Sequence, residues 1–249
     1  MLLQAILIGL VGAWGQFDSV IGSLYTFRPI VTGTLVGVIL GDVTMGLTLG
    51  ATLELFYMGS ISMGAYIPPD DLVGGILATA FAIHGGLSAE TALTLSMPIA
   101  VLSMGFKNVI YALATFICSY ADKFAEKGNT AGINIIHFGI SAIKMLNSFL
   151  WCFLGYYLGV DAVVATINGL PSQIVDGLSV AGGILPAMGF ALLLNMVLNK
   201  KSIPFYFLGF ILAASFGASI LTVLMIAVII VFVTWNQQKG EEAMTDGEF

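Results

Sequence analysis

Residues 30–57 read IVTGTLVGVILGDVTMGLTLGATLELFY, and this stretch decides the fold class. Its apolar run from Ile30 to Leu40 covers only about half of a ~30 Å hydrocarbon core before it ends at Gly41. Irregular backbone at that depth survives only where protein or a water-filled cavity satisfies its polar groups. The stretch therefore predicts membrane helices that are shorter than the bilayer and that turn inside the protein.

The composition of the whole chain agrees with a membrane protein. Of its 249 residues, 58% are hydrophobic and 9% are charged, whereas about 25% of the residues of a soluble domain are charged. The 8 basic against 14 acidic residues leave a net charge of -6, which excludes a basic nucleic-acid-binding face. We predict an all-α, multi-helix integral membrane protein, and we exclude a soluble enzyme, a disordered chain and a disulfide-stapled secreted domain.

Two regions interrupt the apolar pattern, one around 41–75 and one around 168–184. Short apolar segments broken by Gly or Pro are typical of discontinuous helices in transporters. We therefore predict two re-entrant hairpins that meet at a central site, and loops at the membrane surface remain the alternative. The predicted apolar segments are 2–24, 28–41, 43–67, 72–87, 91–118, 133–159, 162–175, 178–199 and 203–235.

The remaining segments predict one transmembrane domain over 1–235. The last run is too long for one untilted span, so we expect a bend near Gly209 or Gly217, or two pieces. The polar stretch 119–133 is predicted to be an amphipathic connector. The acidic stretch 236–249 is predicted to be a flexible tail.

Glu54 is the strongest candidate for a functional side chain. A carboxylate inside an apolar segment is costly and usually functional, and it can accept hydrogen bonds from sugar hydroxyls. Thr52 lies two residues before it, and Tyr57, three residues after it, offers a ring for stacking on a pyranose. The alternative for Glu54 is a structural partner for a polar group on another helix.

The other acidic residues have two readings each. Asp42 follows Gly33, Gly37 and Gly41, whose spacing favours close helix packing. We prefer a helix N-cap at Asp42 to a sugar contact. In Pro68-Pro69-Asp70-Asp71, one Asp is predicted to cap the next helix, and Asp70 is also a candidate sugar ligand at a hairpin tip.

The basic residues and histidines are predicted to have structural roles and no role in chemistry. Arg28 is predicted to be an interfacial anchor, and Lys107 and Lys144 are predicted to snorkel. His84 and His137 stand alone, so we expect hydrogen-bonded or interfacial side chains, with no metal site. No nucleotide-binding or hydrolase motif occurs, and no cofactor is predicted.

Four motifs resemble the membrane component C (IIC) of the mannose/fructose/sorbose family of bacterial sugar phosphotransferase systems, possibly a member handling N-acetylgalactosamine or sorbose. They are FRPIVTGTLVGVILGD (27–42), GATLEL (50–55), PPD (68–70) and VAGGILPAMGFALLLNM (180–196). The resemblance implies a permease of the bacterial cytoplasmic (inner) membrane that carries no phosphohistidine. It also implies a membrane partner, component D, in a trimer of C–D heterodimers, with cytosolic components A and B.

The resemblance maps family site residues onto Glu54 and Asp70. We predict an elevator-type movement in which Glu54, Thr52, Tyr57 and Asp70 bind the sugar, after which component B phosphorylates it. Gly182 and Gly183 would permit close backbone approach at the second hairpin. Two alternatives remain: an H⁺- or Na⁺-coupled secondary transporter, in which Asp42 and Glu54 titrate, and a structural or receptor subunit that binds no sugar.

Overall fold

The computed structural model describes residues 1–22, 24–60 and 67–245, and this part of the chain is helical without strands. The predicted all-α membrane class is confirmed. Three helices are long and apolar enough to cross a membrane, and six more apolar segments are shorter. The nine described helices are α1 (Leu2–Ile21), α2 (Pro29–Leu40), α3 (Val43–Tyr57), α4 (Asp71–Gly85), α5 (Ala89–Glu126), α6 (Thr130–Asn168), α7 (Ser172–Val197), α8 (Ile203–Ala214) and α9 (Ile220–Thr245).

The helices group into two compact units. The first unit covers Met1–Leu193, and the second covers Leu194–Phe249. This boundary falls within the range 1–235 for which the sequence predicted a single domain. In the second unit, α8 and α9 are separate helices that join at Gly217, where φ is 61°. The last apolar run is therefore two pieces, as one of the predicted options had it.

The hairpin of α2 and α3 has clear local causes. Pro29 occupies the first turn of α2, and Gly41 ends the helix in the left-handed conformation, at φ 90°. The side chain of Asp42 then accepts a hydrogen bond from the Met45 N–H at 2.9 Å. The predicted N-cap is confirmed, and its bond satisfies one of the orphan donors of α3. At twelve residues, α2 is about 18 Å long, well short of a bilayer core.

Glycine lets α2 and α3 touch along their backbones. A Cβ on Gly46 would lie 2.6 Å from the Gly33 carbonyl oxygen and 2.6 Å from the Gly37 Cα. The predicted close packing is confirmed for Gly33 and Gly37. Gly41 instead serves the turn, since it has open space around it.

Helix α4 forms the centre of the first unit. All of its residues from Leu72 to Ala82 are buried, which explains why it is apolar around its whole circumference. Its packing partners in the main core cluster come from α1, α2 and α6. The first residues of α4 are therefore held between other helices, and these residues carry two carboxylates.

Three other segments differ from the sequence prediction. Helix α7 continues unbroken through 172–197, so the interruption near 168–184 is limited to the turn before it. Residues 119–126 belong to α5, and only a tight turn at Gly128 separates α5 from α6. Helix α9 extends to Thr245, into the predicted tail, and residues 246–249 lie outside the described part of the chain. The two re-entrant hairpins stay a prediction.

Candidate functional site

The site begins with an ion pair between Arg28 and Glu54. Arg28 is the N-cap residue of α2, and Glu54 lies in the last turn of α3. Arg28 Nε donates to Glu54 Oε1 at 2.6 Å, and Nη2 lies 2.5 Å from the same oxygen. The backbone N–H of Ile30 donates to Oε2 at 3.4 Å. Both side chains keep about a fifth of their surface exposed, at 17% for Arg28 and 21% for Glu54.

A second carboxylate approaches the same guanidinium. Asp71 is the first residue of α4, and its Oδ2 lies 4.0 Å from Arg28 Nη1. Its Oδ1 accepts a hydrogen bond from the Leu72 N–H at 3.0 Å. Arg28 therefore lies between two carboxylates and connects the starts of α2 and α4 with the end of α3. The sequence predicted an interfacial anchor at Arg28 and did not identify these ion pairs.

Asp70 forms the enclosed half of the site. Its side chain has no exposed surface, and its Oδ1 lies 3.2 Å from Lys107 Nζ on α5. Ser103 Oγ donates to Oδ2 at 2.8 Å, and the Asp70 N–H donates to the Ala100 carbonyl at 3.2 Å. Lys107 therefore pairs with a carboxylate, in place of the snorkelling role that was predicted for it. Asp70 makes no capping bond, because its oxygens face α5.

The five charged side chains form one cluster, because Asp70 and Asp71 are consecutive. Two cations, Arg28 and Lys107, face three carboxylates, so the formal charge of the cluster is -1. Its two halves differ in access. Glu54 and Asp71 are 21% and 18% exposed, whereas Asp70 is enclosed. The accessible carboxylates can accept hydrogen bonds from a polar ligand, and the enclosed pair ties α4 to α5.

Tyr57 lies in a packed apolar cluster. Its side chain is 1% exposed, and its ring centroid lies 4.6 Å from that of Phe56. Leu53, Leu93 and Ala100 belong to the same cluster. Both ring faces are covered in this conformation, so stacking on a sugar would require the cluster to open.

Thr52 and Asp42 point to other places than Glu54. Thr52 Oγ1 donates to the Thr48 carbonyl at 2.8 Å, and its position is about 200° around the helix from Glu54. Asp42 is twelve residues before Glu54 at the opposite end of α3, which is about 18 Å along the axis. The structure does not bring these two residues together with Glu54.

The two adjacent glycines in α7, Gly182 and Gly183, differ in the space around them. A Cβ on Gly182 would lie 2.1 Å from the Glu90 carbonyl oxygen, whereas one on Gly183 would meet nothing within 4 Å. The contact is reinforced by Thr94 Oγ1, which donates to the Leu178 carbonyl at 2.8 Å. The close backbone approach at Gly182 therefore joins α7 to the N-terminal part of α5.

The two histidines were predicted to be hydrogen-bonded or interfacial side chains. His84 Nδ1 lies 3.1 Å from the Tyr156 hydroxyl, so it is a hydrogen-bonded side chain. His137 packs edge-on against Phe138. Across the described ranges, no group of three or more His, Cys, Asp or Glu side chains is arranged for a metal ion.

Sequence reasoning missed the two cations of the site and the role of Asp71. Arg28, Lys107 and Asp71 were each visible as charges beside or inside apolar segments, which are costly unless paired. Because an intramembrane charge usually has a partner, these charges could have been listed as candidates for ion pairs with Glu54 and Asp70. What no sequence pattern supplied was which cation meets which carboxylate.

The comparisons with known proteins agree on one family. Residues 2–233 match the family model described as the sorbose-specific IIC component of the phosphotransferase system. The fructose permease IIC component of Bacillus subtilis is 31% identical over 85% of this chain and 79% of its own length. The N-acetylgalactosamine permease IIC component 1 of Escherichia coli is 34% identical over 76% of this chain and 71% of its own.

Two solved structures share the fold. One, described as a membrane protein, is 27% identical, with a TM-score of 0.83 over 95% of this chain and 96% of the other. The second is a complex of the mannose transporter ManYZ with microcin E492, with 28% identity, a TM-score of 0.61 and the same coverage. The predicted membership is confirmed: the chain belongs to the sorbose-specific IIC family of phosphotransferase-system components and is a multi-pass protein of the bacterial cytoplasmic membrane.

Proposed function

We propose that the chain is the sugar-translocating subunit of a phosphotransferase system and that Glu54 binds the sugar. The observation that carries this proposal is the charged cluster, in which Glu54 and Asp71 stay partly exposed while Arg28 orients them. A carboxylate fixed by an arginine keeps acceptor positions free for sugar hydroxyls. Relatives named for fructose, mannose, sorbose and N-acetylgalactosamine support a hexose or amino sugar as the substrate.

The proposal assigns different roles to the other predicted site residues. Asp70 fixes the start of α4 against α5 through its ion pair with Lys107. It can contact the sugar only if that ion pair opens. Tyr57 contacts the sugar only when its apolar cluster separates. Thr52 and Asp42 lie away from Glu54, so the proposal gives them no direct contact with the sugar. In an elevator-type movement, α4 and α5 would therefore either move together or lose the ion pair between Asp70 and Lys107.

The proposed cycle needs partners. Component D completes the translocation unit, and the similarity to the mannose transporter ManYZ supports this part of the proposal. C–D heterodimers form the predicted trimer. Cytosolic component B phosphorylates the sugar at the inner face with phosphate relayed by component A. The phosphorylated sugar no longer fits the site, so uptake is irreversible without an ion gradient and without a phosphohistidine in this chain.

The test is uptake of radiolabelled fructose, mannose, sorbose and N-acetylgalactosamine into membrane vesicles that contain the C–D pair. Glu54→Gln keeps the shape of the side chain but loses the charge that pairs with Arg28. We expect its kcat/KM to fall about tenfold or more, which corresponds to one charge-assisted hydrogen bond. Glu126→Gln is the matched control, because Glu126 is an exposed residue at the far end of α5.

Energy coupling is tested in the same vesicles. Uptake should require phosphoenolpyruvate and the cytosolic components, and it should survive a proton ionophore. Uptake that collapses with the ionophore alone would establish the ion-coupled alternative. Wild-type kinetics in Glu54→Gln would remove Glu54 from the sugar site.

A further inference from the structure

A second buried carboxylate, Asp18, contacts the loop that precedes Arg28. It lies near the end of α1 and is 1% exposed. Its Oδ1 accepts hydrogen bonds from the Leu24 N–H at 2.8 Å and from the Thr26 hydroxyl at 3.1 Å. Oδ1 also accepts a hydrogen bond from the Thr26 N–H at 3.4 Å, and Oδ2 accepts one from the Tyr25 N–H at 3.1 Å.

These donors belong to the loop that leads directly to Arg28. Within the described residues, Asp18 has no basic side chain at ion-pair distance, so the loop donors alone compensate the buried charge. A buried carboxylate without such donors would be strongly destabilising. The loop must therefore keep the conformation that presents three N–H groups and one hydroxyl to Asp18.

The backbone of the loop carries a further sign of constraint. Tyr25 has φ 61°, a left-handed conformation that a bulky residue rarely adopts. The Tyr25 carbonyl in turn accepts a hydrogen bond from the Arg28 N–H at 3.3 Å. Strained conformations persist where surrounding contacts over-determine them, and here the contact to the Tyr25 N–H comes from Asp18.

We infer that Asp18 is a positioning residue for sugar binding, which acts by fixing the 24–28 loop so that Arg28 meets Glu54. The inference rests on the proposed function of Glu54. The path is continuous: Asp18 holds Tyr25, Tyr25 holds the Arg28 backbone, and the Arg28 side chain holds Glu54. Asp18 itself touches no sugar, because its oxygens are enclosed by the loop.

The uptake test compares Asp18→Ala with the wild type, on whichever of fructose, mannose, sorbose or N-acetylgalactosamine the wild type transports. We expect KM to rise about tenfold, as when one charge-assisted hydrogen bond is weakened, with Vmax and the membrane level of the protein unchanged. Thr26→Val, which deletes only the hydroxyl donor, should shift KM in the same direction by a smaller factor. Unchanged KM in both variants would overturn the inference.

A double-mutant cycle with Glu54→Gln separates positioning from general support. If Asp18 acts through the Arg28–Glu54 pair, Asp18→Ala should have little further effect in the Glu54→Gln background. An equal loss in both backgrounds would overturn the positioning role.

The same cycle in thermal unfolding of the purified protein detects the coupling without transport. If the Asp18→Ala and Glu54→Gln changes in Tm are additive, the inference is overturned, whether or not Glu54 binds the sugar. If the changes in Tm are coupled but Glu54→Gln transports sugar normally, only the sugar-binding role of Glu54 is refuted.

Discussion

Replacing Lys107 with methionine should destabilise the protein strongly. The substitution keeps the length and apolar stem of the side chain but removes the charge that lies 3.2 Å from the enclosed Asp70 carboxylate. Coulomb's law at that distance corresponds to about 5 kcal/mol with an effective dielectric constant of 20. Ser103 still donates to Asp70, and Lys107 is 18% exposed, so part of this loss is offset.

The net cost should be about 3 kcal/mol, at the lower end of the range for removing one partner of a buried ion pair. For a chain of this size, each kcal/mol shifts Tm by about 2–4 °C, so we expect a decrease of about 6–12 °C. The double variant Lys107→Met/Asp70→Asn should recover most of it, because the uncompensated charge is then gone.

The assay is thermal unfolding of the purified protein in detergent, with Lys144→Met as the matched control. Lys144 also lies in an apolar helix, but its Nζ lies 4.8 Å from the Tyr111 ring centroid and forms no ion pair with the described residues. A cation–π contact at a partly exposed site contributes about 1 kcal/mol. Equal decreases in Tm for the two variants would refute the reasoning that Lys107 compensates Asp70.

Three further predictions follow from the same geometry. Arg28→Lys should lower sugar uptake about tenfold, because an ammonium cannot reproduce the two contacts to Glu54 and the approach to Asp71; wild-type KM would contradict this. Gly182→Ala should lower the free energy of unfolding by about 1–3 kcal/mol by overpacking against α5, whereas Gly183→Ala should be neutral or stabilising. Denaturation of the two single variants measures this difference. Asp42→Ala should cost about 1 kcal/mol as a lost N-cap and leave KM unchanged, whereas Asp42→Asn should retain the wild-type stability.

The sequence predicted the local features of the α2–α3 hairpin. A run of eleven mostly apolar residues between Pro29 and Gly41 specifies a short helix, and an Asp after that glycine specifies the next N-cap. The glycine spacing predicted close packing, and it was right for Gly33 and Gly37. These features depend on neighbours in the chain, so sequence patterns report them well.

Predictions that depended on distant contacts were less successful. Arg28 was assigned to the interface and Lys107 to snorkelling, although both pair with carboxylates in the structure. Tyr57 was placed with Glu54 by helical spacing, yet its ring turns into the apolar cluster with Leu93 and Ala100. Spacing defines which face of a helix a residue occupies, but it does not define what covers that face.

The sequence by itself determined that this chain is a helical membrane protein of the sorbose-specific IIC family, since hydropathy, helix signals and motif order are properties of the linear chain. Tertiary structure alone decided that Arg28, Glu54 and Asp71 meet while Asp70 is enclosed by Lys107 and Ser103. The reason is that charge pairing acts through space: Arg28 at the start of α2 meets Glu54 on α3 and Asp71 on α4, and Lys107 on α5 meets Asp70. These partners are distant in the chain, and only helix packing brings them within ion-pair distance.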